Sequence, residues 1–479
     1  MPQEERAPRL DEPGGSYQLA DGRHVFKPRP GIHAVAAAIG HVGWELRRNT
    51  RTGGIEYQNP RSDSWRQLDE MARINLEAEI EAKCAIQQSN AGITHFSPTK
   101  DKWQNGLEYS ANLLCVDPFR EWLETLPAVS DTSEPELPVS SCFTTPDIII
   151  PASTAATVEE LEAEERVYEQ IIDFENWVNR YPFWAAIAKA YYPECKAHVC
   201  LVLIGAQGIG KSTFWQLALP AEHRGEWVTD GIQLDGSNRE FAESCGNAVF
   251  GEIAELTGAG SRARREHIKQ VMTSGGMNIR FSYRHNAVTW YPKLVFLGSS
   301  NSQAPLPADP TGNRRFLALR VKKIRAQRKP ATNLQQLQHI NRWWDRNRNE
   351  IWAAAAQDVH QAAKENRLNQ LLAIPPDLEW IQREFNRDAT PETDALARTR
   401  KYAHEQVLLP DIELVHIWTA PTMASGFDQT GPIPAHIQVE MEQALTEVGR
   451  KRKRLPDGRT VWSKAVNNPK PDQESQLKF

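Results

Sequence analysis

Cysteine is scarce in this chain and paired nowhere: six occur in 479 residues, none in a Cys-x-x-Cys spacing. Cys195 and Cys200 are the nearest two, and no histidine pair at metal-ligand spacing accompanies them. This argues against a disulfide framework or a zinc site and fits reduced thiols in a cytoplasmic compartment. No apolar run approaches the roughly 20 residues of a membrane span, so no membrane partner is expected. The opening "MPQEERAPRLDEPGGS" is charged and Pro/Gly-rich, unlike a secretory signal. With a net charge of −5 the chain as a whole does not attract polyanions, so a nucleic-acid partner must meet a local basic patch. The first 150 residues also lack the Asp-x-Asp pair with which a polymerising primase would hold its metals.

What is present is ordinary globular material, 40% hydrophobic and 24% charged, enough for about three domains. Residues 1–29 read as a disordered tail and 30–126 as an accessory domain. In the latter, "IHAVAAAIGHVG" reads as a helix stopped by Gly43, and "WELRRNTRTGGIEYQN" as a hairpin turning at Thr52-Gly53-Gly54. Two more helices are expected in "WRQLDEMARINLEAEIEAKCA" and "CVDPFREWLETL". Residues 127–157, rich in Pro, Ser and Thr, read as a linker or insertion. The acidic "VEELEAEERVYEQIIDFENWVNR" then predicts a helix with a solvated face. From Val199 apolar strands alternate with helical stretches, which is the α/β pattern. The expected divisions are 158–325 for the α/β domain with its leading helices, 326–405 for a helical subdomain, and 406–479 for a C-terminal region and tail.

The stretch "VLIGAQGIGKSTFW" contains Gly205-Ala206-Gln207-Gly208-Ile209-Gly210-Lys211-Ser212, followed by Thr213. It satisfies the phosphate-binding loop pattern, between an apolar strand and a helix as that pattern requires. Glycines let backbone N–H groups face phosphates, Lys211 suits the β- and γ-phosphates, and the Ser212 hydroxyl suits Mg²⁺. The expected cofactors are therefore ATP and Mg²⁺. An acid near the metal is expected at the end of a neighbouring strand, and "NAVFGEIAEL" supplies Glu252 and Glu255. Glu252 is the better candidate for holding Mg²⁺ through water, and Glu255 could polarise the attacking water, or the roles could be exchanged. Asn301, ending "KLVFLGSSN", could orient water, although turn-capping also suits it. Arg314 or Arg315, after the Gly-Asn turn of "DPTGNRRF", could reach a transition state across an interface.

Five pieces occur in order: "LVLIGAQGIGKSTF", "VFGEIAEL", "IKQVMTSGGMNIRFSYR", "LVFLGSSN" and "DPTGNRRF". In this the chain resembles, from about Cys195 to Val321, the virulence-associated protein E family of phages and mobile elements, and the superfamily III helicases of the AAA+ group. The resemblance implies a homo-oligomer, a hexameric ring, with Arg314 or Arg315 completing a neighbour's site. It also implies a hairpin entering the ring's pore, and "MNIRFSYRHNAVTWYPK" fits that place, with its tip near Arg284, His285 and Asn286. Arg280, Arg284, His285 and Lys293, interleaved with Phe281, Tyr283, Trp290 and Tyr291, suit phosphate contact and base stacking. The sequence departs from the family pattern in its Gly-Glu-Ile-Ala-Glu acidic strand and in Ser-Ser before Asn301, where the family more often has threonines. At the C-terminus Arg450, Lys451, Arg452, Lys453 and Arg454 precede "LPDGRTVW" and follow an amphipathic helix, a candidate winged helix for DNA.

The expected fold is therefore α/β, a P-loop NTPase core of the AAA+ helicase-like kind, with helical N- and C-terminal domains and the candidate winged helix. The expected function is an ATP-dependent DNA helicase or helicase-like replication protein. Its partners would be single-stranded DNA, origin DNA and another replication protein. Two other readings stay open: a regulatory or anti-phage defence ATPase that switches a protein partner, and an ATP-controlled initiator without unwinding activity.

Overall fold

The computed structural model describes residues 16–18, 22, 24–26, 32–88, 92–129, 136–144, 158–230, 232, 237–254, 270–272, 276–280, 287–302, 304–306, 313–326, 329–389, 399, 402–403, 411–414, 433, 435–447, 450–457 and 459–464. Near the N-terminus, β1 (Ser16–Gln18) and β2 (His24–Phe26) pair antiparallel, so strands occur where a disordered tail was expected. Helix α1 (Ile32–His41) ends at Gly43, whose φ of +80° suits a residue without a side chain. The hairpin of β3 (Glu45–Asn49) and β4 (Ile55–Asn59) follows. A third strand, β5 (Ser62–Gln67), occupies the segment where the sequence suggests the start of a helix. Helix α2 (Glu70–Lys83) begins only after Asp69, whose carboxylate accepts the Ala72 N–H at 2.7 Å. It runs directly into β6 (Cys84–Gln88), which lies between β2 and β7 (Gly92–His95). Helix α3 (Lys100–Asn112) and strand β8 (Cys115–Val116) complete this unit, whose core gathers Val35, Ile39, Trp44, Leu76, Ile80 and Leu107.

Helix α4 (Pro118–Glu124) belongs to the next layer. Its Phe119 ring packs against Trp227 and Trp352 at centroid distances of 5.4 and 5.3 Å, inside the largest core of the molecule. The Pro/Ser/Thr-rich region is docked where it is described. Helix α5 (Pro138–Cys142) buries Val139, Cys142 and Phe143, and Thr144 exchanges backbone hydrogen bonds with Lys322 at 3.0 and 2.8 Å.

The central sheet comprises β9 (Cys200–Ile204), β10 (Val228–Thr229), β11 (Phe250–Ala254), β14 (Val295–Ser300) and β15 (Phe316–Arg320). All neighbours are parallel, in the order β10-β11-β14-β9-β15. Its central strands are apolar on both faces, as a parallel sheet between helical layers demands. Leu201 and Leu203 point to one core, while Cys200, Val202 and Ile204 point to the other. The first face is covered by α6 (Val158–Tyr191), 34 residues long, and by α10 (Asn333–Lys364), 32 residues long. The second carries α9 (Asn238–Cys245) and the small antiparallel pair β12 (Met277–Ile279) and β13 (Val288–Trp290). Between strands and helices lie α7 (Lys211–Leu217) and α8 (Arg224–Trp227). After β15 come β16 (Arg325–Ala326) and β17 (Lys329–Pro330), then α10, α11 (Leu368–Leu371) and α12 (Glu379–Ala389). A capping box at Thr332 and Gln335 starts α10.

A separate small core lies near the C-terminus. Helix α13 (Ala435–Glu447) packs on a sheet of order β18-β20-β19, formed by β18 (Asp411–Ile412), β19 (Arg450–Arg454) and β20 (Thr460–Lys464). Ile412, Ile437, Met441, Leu445 and Trp462 fill it.

The N-terminal unit meets the sheet through a buried ion cluster. Arg51 Nη1 donates to Asp117 Oδ1 at 3.3 Å, and Lys293 Nζ donates to Asp117 Oδ2 at 3.0 Å. Burial alone would raise the Asp117 pKa, but Arg51 and Lys293 outweigh it and hold the carboxyl below its usual range. A depressed folded-state pKa means that the stabilisation is fully present above the unfolded value and is lost as pH falls through the folded one. Asp117→Asn should therefore cost about 3 kcal/mol at neutral pH by leaving the buried Arg51 and the half-buried Lys293 short of their partner. The difference from wild type should shrink as pH drops below about 4, which urea denaturation of both proteins at several pH values would measure.

Candidate functional site

The glycine-rich loop leaves the carboxyl end of β9 and enters α7. Two contacts explain its glycines. A Cβ on Gly205 would stand 2.5 Å from the backbone oxygen of Val321. Gly210 has φ +94°, and a Cβ there would meet Ile340 and Leu337 of α10 at 2.8 and 3.0 Å. Ala206, Gln207 and Gly208 are exposed, whereas the Ile209 side chain is buried in the core, so only its backbone faces the loop's concave side. Thr213 is half-buried in the first turn of α7.

Lys211 is buried, and its ammonium donates to Gly205 O at 2.8 Å, Ala206 O at 3.0 Å and Asn301 Oδ1 at 2.9 Å. Burial lowers its pKa, and the Glu252 carboxylate partly offsets that. One helical turn frames the second cluster: Ser212 Oγ donates to Glu252 Oε1 at 2.6 Å and lies 3.4 Å from Ser299 Oγ. Ser299 Oγ donates to the same carboxylate oxygen. Glu252 lies on β11, Ser299 on β14 and Ser212 after β9, so three neighbouring strands bring their carboxyl ends to one place. The sequence reading did not single out Ser299 as a site residue, although its signal was visible in the Ser-Ser before Asn301. Glu255 lies outside the described residues, as do Phe281, Tyr283, Arg284, His285 and Asn286. Among the described residues, no three His, Cys, Asp or Glu side chains cluster so as to hold a metal.

Arg314 and Arg315 sit at the other end of the sheet. Cys200 N donates to Arg315 O at 2.8 Å, and Phe316 lies beside Cys200 in register. Phe316 is level with Cys200, so six rises of about 3.3 Å each separate the level of Arg315 from that of Gly205, roughly 20 Å. Their turn passes through Asn313, with φ +50°, and is held by α12. Gln382 Nε2 donates to Arg314 O at 3.0 Å and to Phe316 O at 2.8 Å, and Asn386 Nδ2 donates to Asn313 O at 3.1 Å.

Several residues expected to contact DNA are otherwise engaged. Lys293 is paired with Asp117 and also donates to Thr50 Oγ1 at 3.0 Å, which commits it to the joint between the two units. Trp290 is buried, its indole N–H donating to Arg51 O at 3.3 Å, so it does not offer a stacking face. Arg450 is buried against the β20 backbone and donates to Trp462 O at 3.2 Å; burial lowers its pKa, with Asp411 opposing. Strand pairing explains this, because Arg450 opens β19 facing the small core. Lys451, Arg452, Lys453 and Arg454 are exposed along that edge strand, and Arg280 is exposed after β12. Exposed cations on an edge strand also discourage it from pairing with other chains.

Residues 158–381 match the virulence-associated protein E-like domain. That span begins with α6 and includes the glycine loop, Glu252, Ser299, Asn301 and both arginines; Arg51, Asp117 and the basic strand β19 lie outside it. No curated protein matches the chain. Among solved structures, the apo NrS-1 C terminal region (305-718) is 13% identical, with 91% of this chain and 99% of that one covered, at a TM-score of 0.42. The A form of the same region is 12% identical, with 90% and 99% covered, at 0.38. Likeness at these scores carries no argument. Among the described residues, no helix is long and apolar enough to cross a membrane.

Within residues 158–381, Gly210 combines a left-handed backbone, φ +94°, with Cβ contacts under or near 3 Å. Gly210→Ala should lower stability by about 1–2 kcal/mol from the left-handed backbone alone, before the contact with Ile340, read as a drop in thermal midpoint.

Proposed function

We propose that the virulence-associated protein E-like domain is a P-loop ATPase of the AAA+ helicase-like kind. In this reading the chain serves phage or mobile-element replication as a DNA helicase or helicase-like motor. One observation carries the reading: Lys211 with Asn301, and Ser212 with Glu252 and Ser299, meet around the glycine loop at the ends of parallel strands. Lys211 is already desolvated and needs only to exchange two loop carbonyls for phosphate oxygens, which bind an ammonium more strongly. The donor set fits Mg²⁺, which takes one or two carboxylates and otherwise keeps water and phosphate oxygens. Ser212 and Glu252 would hold it, and when bound it would neutralise charge developing on the phosphates. Ser299 would fix the Glu252 carboxylate by donating to it. Asn301, whose Oδ1 accepts from Lys211 at 2.9 Å, would orient the attacking water, and Glu255 or Glu252 would polarise it.

Arg314 and Arg315 lie at the opposite end of the sheet from the loop of their own chain, Arg314 exposed and Arg315 half-buried. This supports a site shared between subunits of a homo-oligomeric ring, with one of the two completing a neighbour's site. Single-stranded DNA would be met by Arg280 and the hairpin it belongs to. The α13-β19-β20 unit would act as a winged helix, contacting duplex or origin DNA through Lys451 to Arg454.

The test combines hydrolysis, subunit mixing and strand displacement. Lys211→Ala should abolish turnover. Arg315→Ala or Arg314→Ala should reduce it about 10³-fold or more while nucleotide binding persists. Mixing the Lys211→Ala and arginine variants should restore part of the activity, because each supplies what the other lacks. Full activity in a strict monomer would overturn the shared site, and hydrolysis without strand displacement would favour a switching ATPase. Ser299→Ala should weaken Mg²⁺-dependent nucleotide binding about tenfold, with Ser299→Thr near wild type, as calorimetry would show.

A further inference from the structure

The returning arm of the β12–β13 hairpin is anchored at four successive residues. Trp290 Nε1 donates to Arg51 O at 3.3 Å, and Tyr291 OH donates to Glu194 Oε1 at 3.1 Å. Pro292 O accepts the buried Lys189 ammonium at 3.3 Å. Lys293 is held at both ends: its ammonium pairs with Asp117 at 3.0 Å, and its carbonyl accepts Arg51 Nη2 at 2.5 Å. Arg51 enters two of these four anchors, at Trp290 through its backbone oxygen and at Lys293 through its guanidinium, which also reaches Lys293 through Asp117.

Arg51 is itself held at both terminal nitrogens of its guanidinium, while its buried Nε has no hydrogen-bond partner among the described residues. It is 2% exposed, its guanidinium stands 5.5 Å over the Phe119 ring, and Nη2 also donates to Ala248 O at 2.9 Å. Ala248 leads into β11 and Lys293 leads into β14, so one side chain ties together the approaches to both strands. Asn49 Nδ2, two residues earlier, reaches Asn247 Oδ1 at 2.7 Å. The strand that starts just beyond Lys293 ends at Ser300, carrying Ser299, and is followed by Asn301. Arg51, from outside the virulence-associated protein E-like domain, thus holds one end of the strand whose other end carries groups of the candidate nucleotide site.

We propose that Arg51 is a positioning residue through which the N-terminal unit holds the root of the hairpin, so that DNA engaged there is felt at the nucleotide. The second half rests on the DNA-motor reading above. A guanidinium suits the task because its planar fork serves Asp117 and two backbone oxygens at once, which lysine cannot do. Arg51 makes no contact with Lys211, Ser212, Glu252, Ser299 or Asn301, so its loss is expected to change basal hydrolysis far less than the response to DNA.

The experiment is amide hydrogen exchange on the full chain, wild type against Arg51→Met, with ATP hydrolysis measured with and without single-stranded DNA. Exchange at 288–290 should quicken about tenfold while 200–204 stays as in wild type. Unchanged exchange at 288–290 in a folded variant overturns the proposal. Basal turnover should stay within about twofold of wild type, while stimulation by DNA falls about tenfold. Faster exchange with full stimulation overturns the coupling. A wild type that DNA does not stimulate sinks the motor reading, and exchange then still decides whether Arg51 holds the hairpin. If Arg51→Met does not fold, Arg51→Lys retains a cation beside Asp117 but loses the fork, and the same exchange pattern is expected.

Discussion

Burial of both faces of the parallel sheet is the constraint from which the rest follows. A strand such as Cys200–Ile204, apolar toward both layers, leaves no room for polar chemistry along its length. Most polar groups of the site therefore sit at the strand ends, and Glu252 reaches them from the middle of β11. The glycine loop, Glu252, Ser299 and Asn301 gather at one end and the arginine turn at the other. The same constraint explains why the two ends cannot serve one another within a subunit: the sheet between them is packed solid.

The second organising feature is the attachment of the N-terminal unit. It has its own core, yet α4 inserts Phe119 among Trp227 and Trp352 of the main core, and Asp117, which caps that helix, is the carboxylate between Arg51 and Lys293. Aromatic burial supplies the contact area, and the ion cluster specifies its register, since a buried carboxylate tolerates few alternative arrangements of its cations.

Local chemistry was legible wherever it is carried by contiguous residues. The β3–β4 hairpin followed from Gly53-Gly54, the end of α1 from Gly43, and the strand-loop-helix from "VLIGAQGIGKSTFW". Strands β5 and β6 were hidden because "WRQLDEMARINLEAEIEAKCA" has a helical period through its middle and strand-forming ends whose partners lie elsewhere in the chain. Helix α3 was not anticipated, and its buried positions, Gly106, Leu107 and Ala111, are too few to mark a periodic stripe.

The sequence by itself determined which groups could do chemistry: a lysine and serine after a flexible loop, a carboxylate closing an apolar strand, an asparagine after the next, and clustered cations. Only the tertiary structure decided which of these groups meet. It brought Ser299 to Glu252 across 47 residues of chain and Asn301 to Lys211 across 90. It also withdrew Lys293, Trp290 and Arg450 from the surface, where composition alone had placed them. The reason is that a side chain's role depends on its neighbours in space, and in a parallel sheet those neighbours arrive from strands distant in sequence.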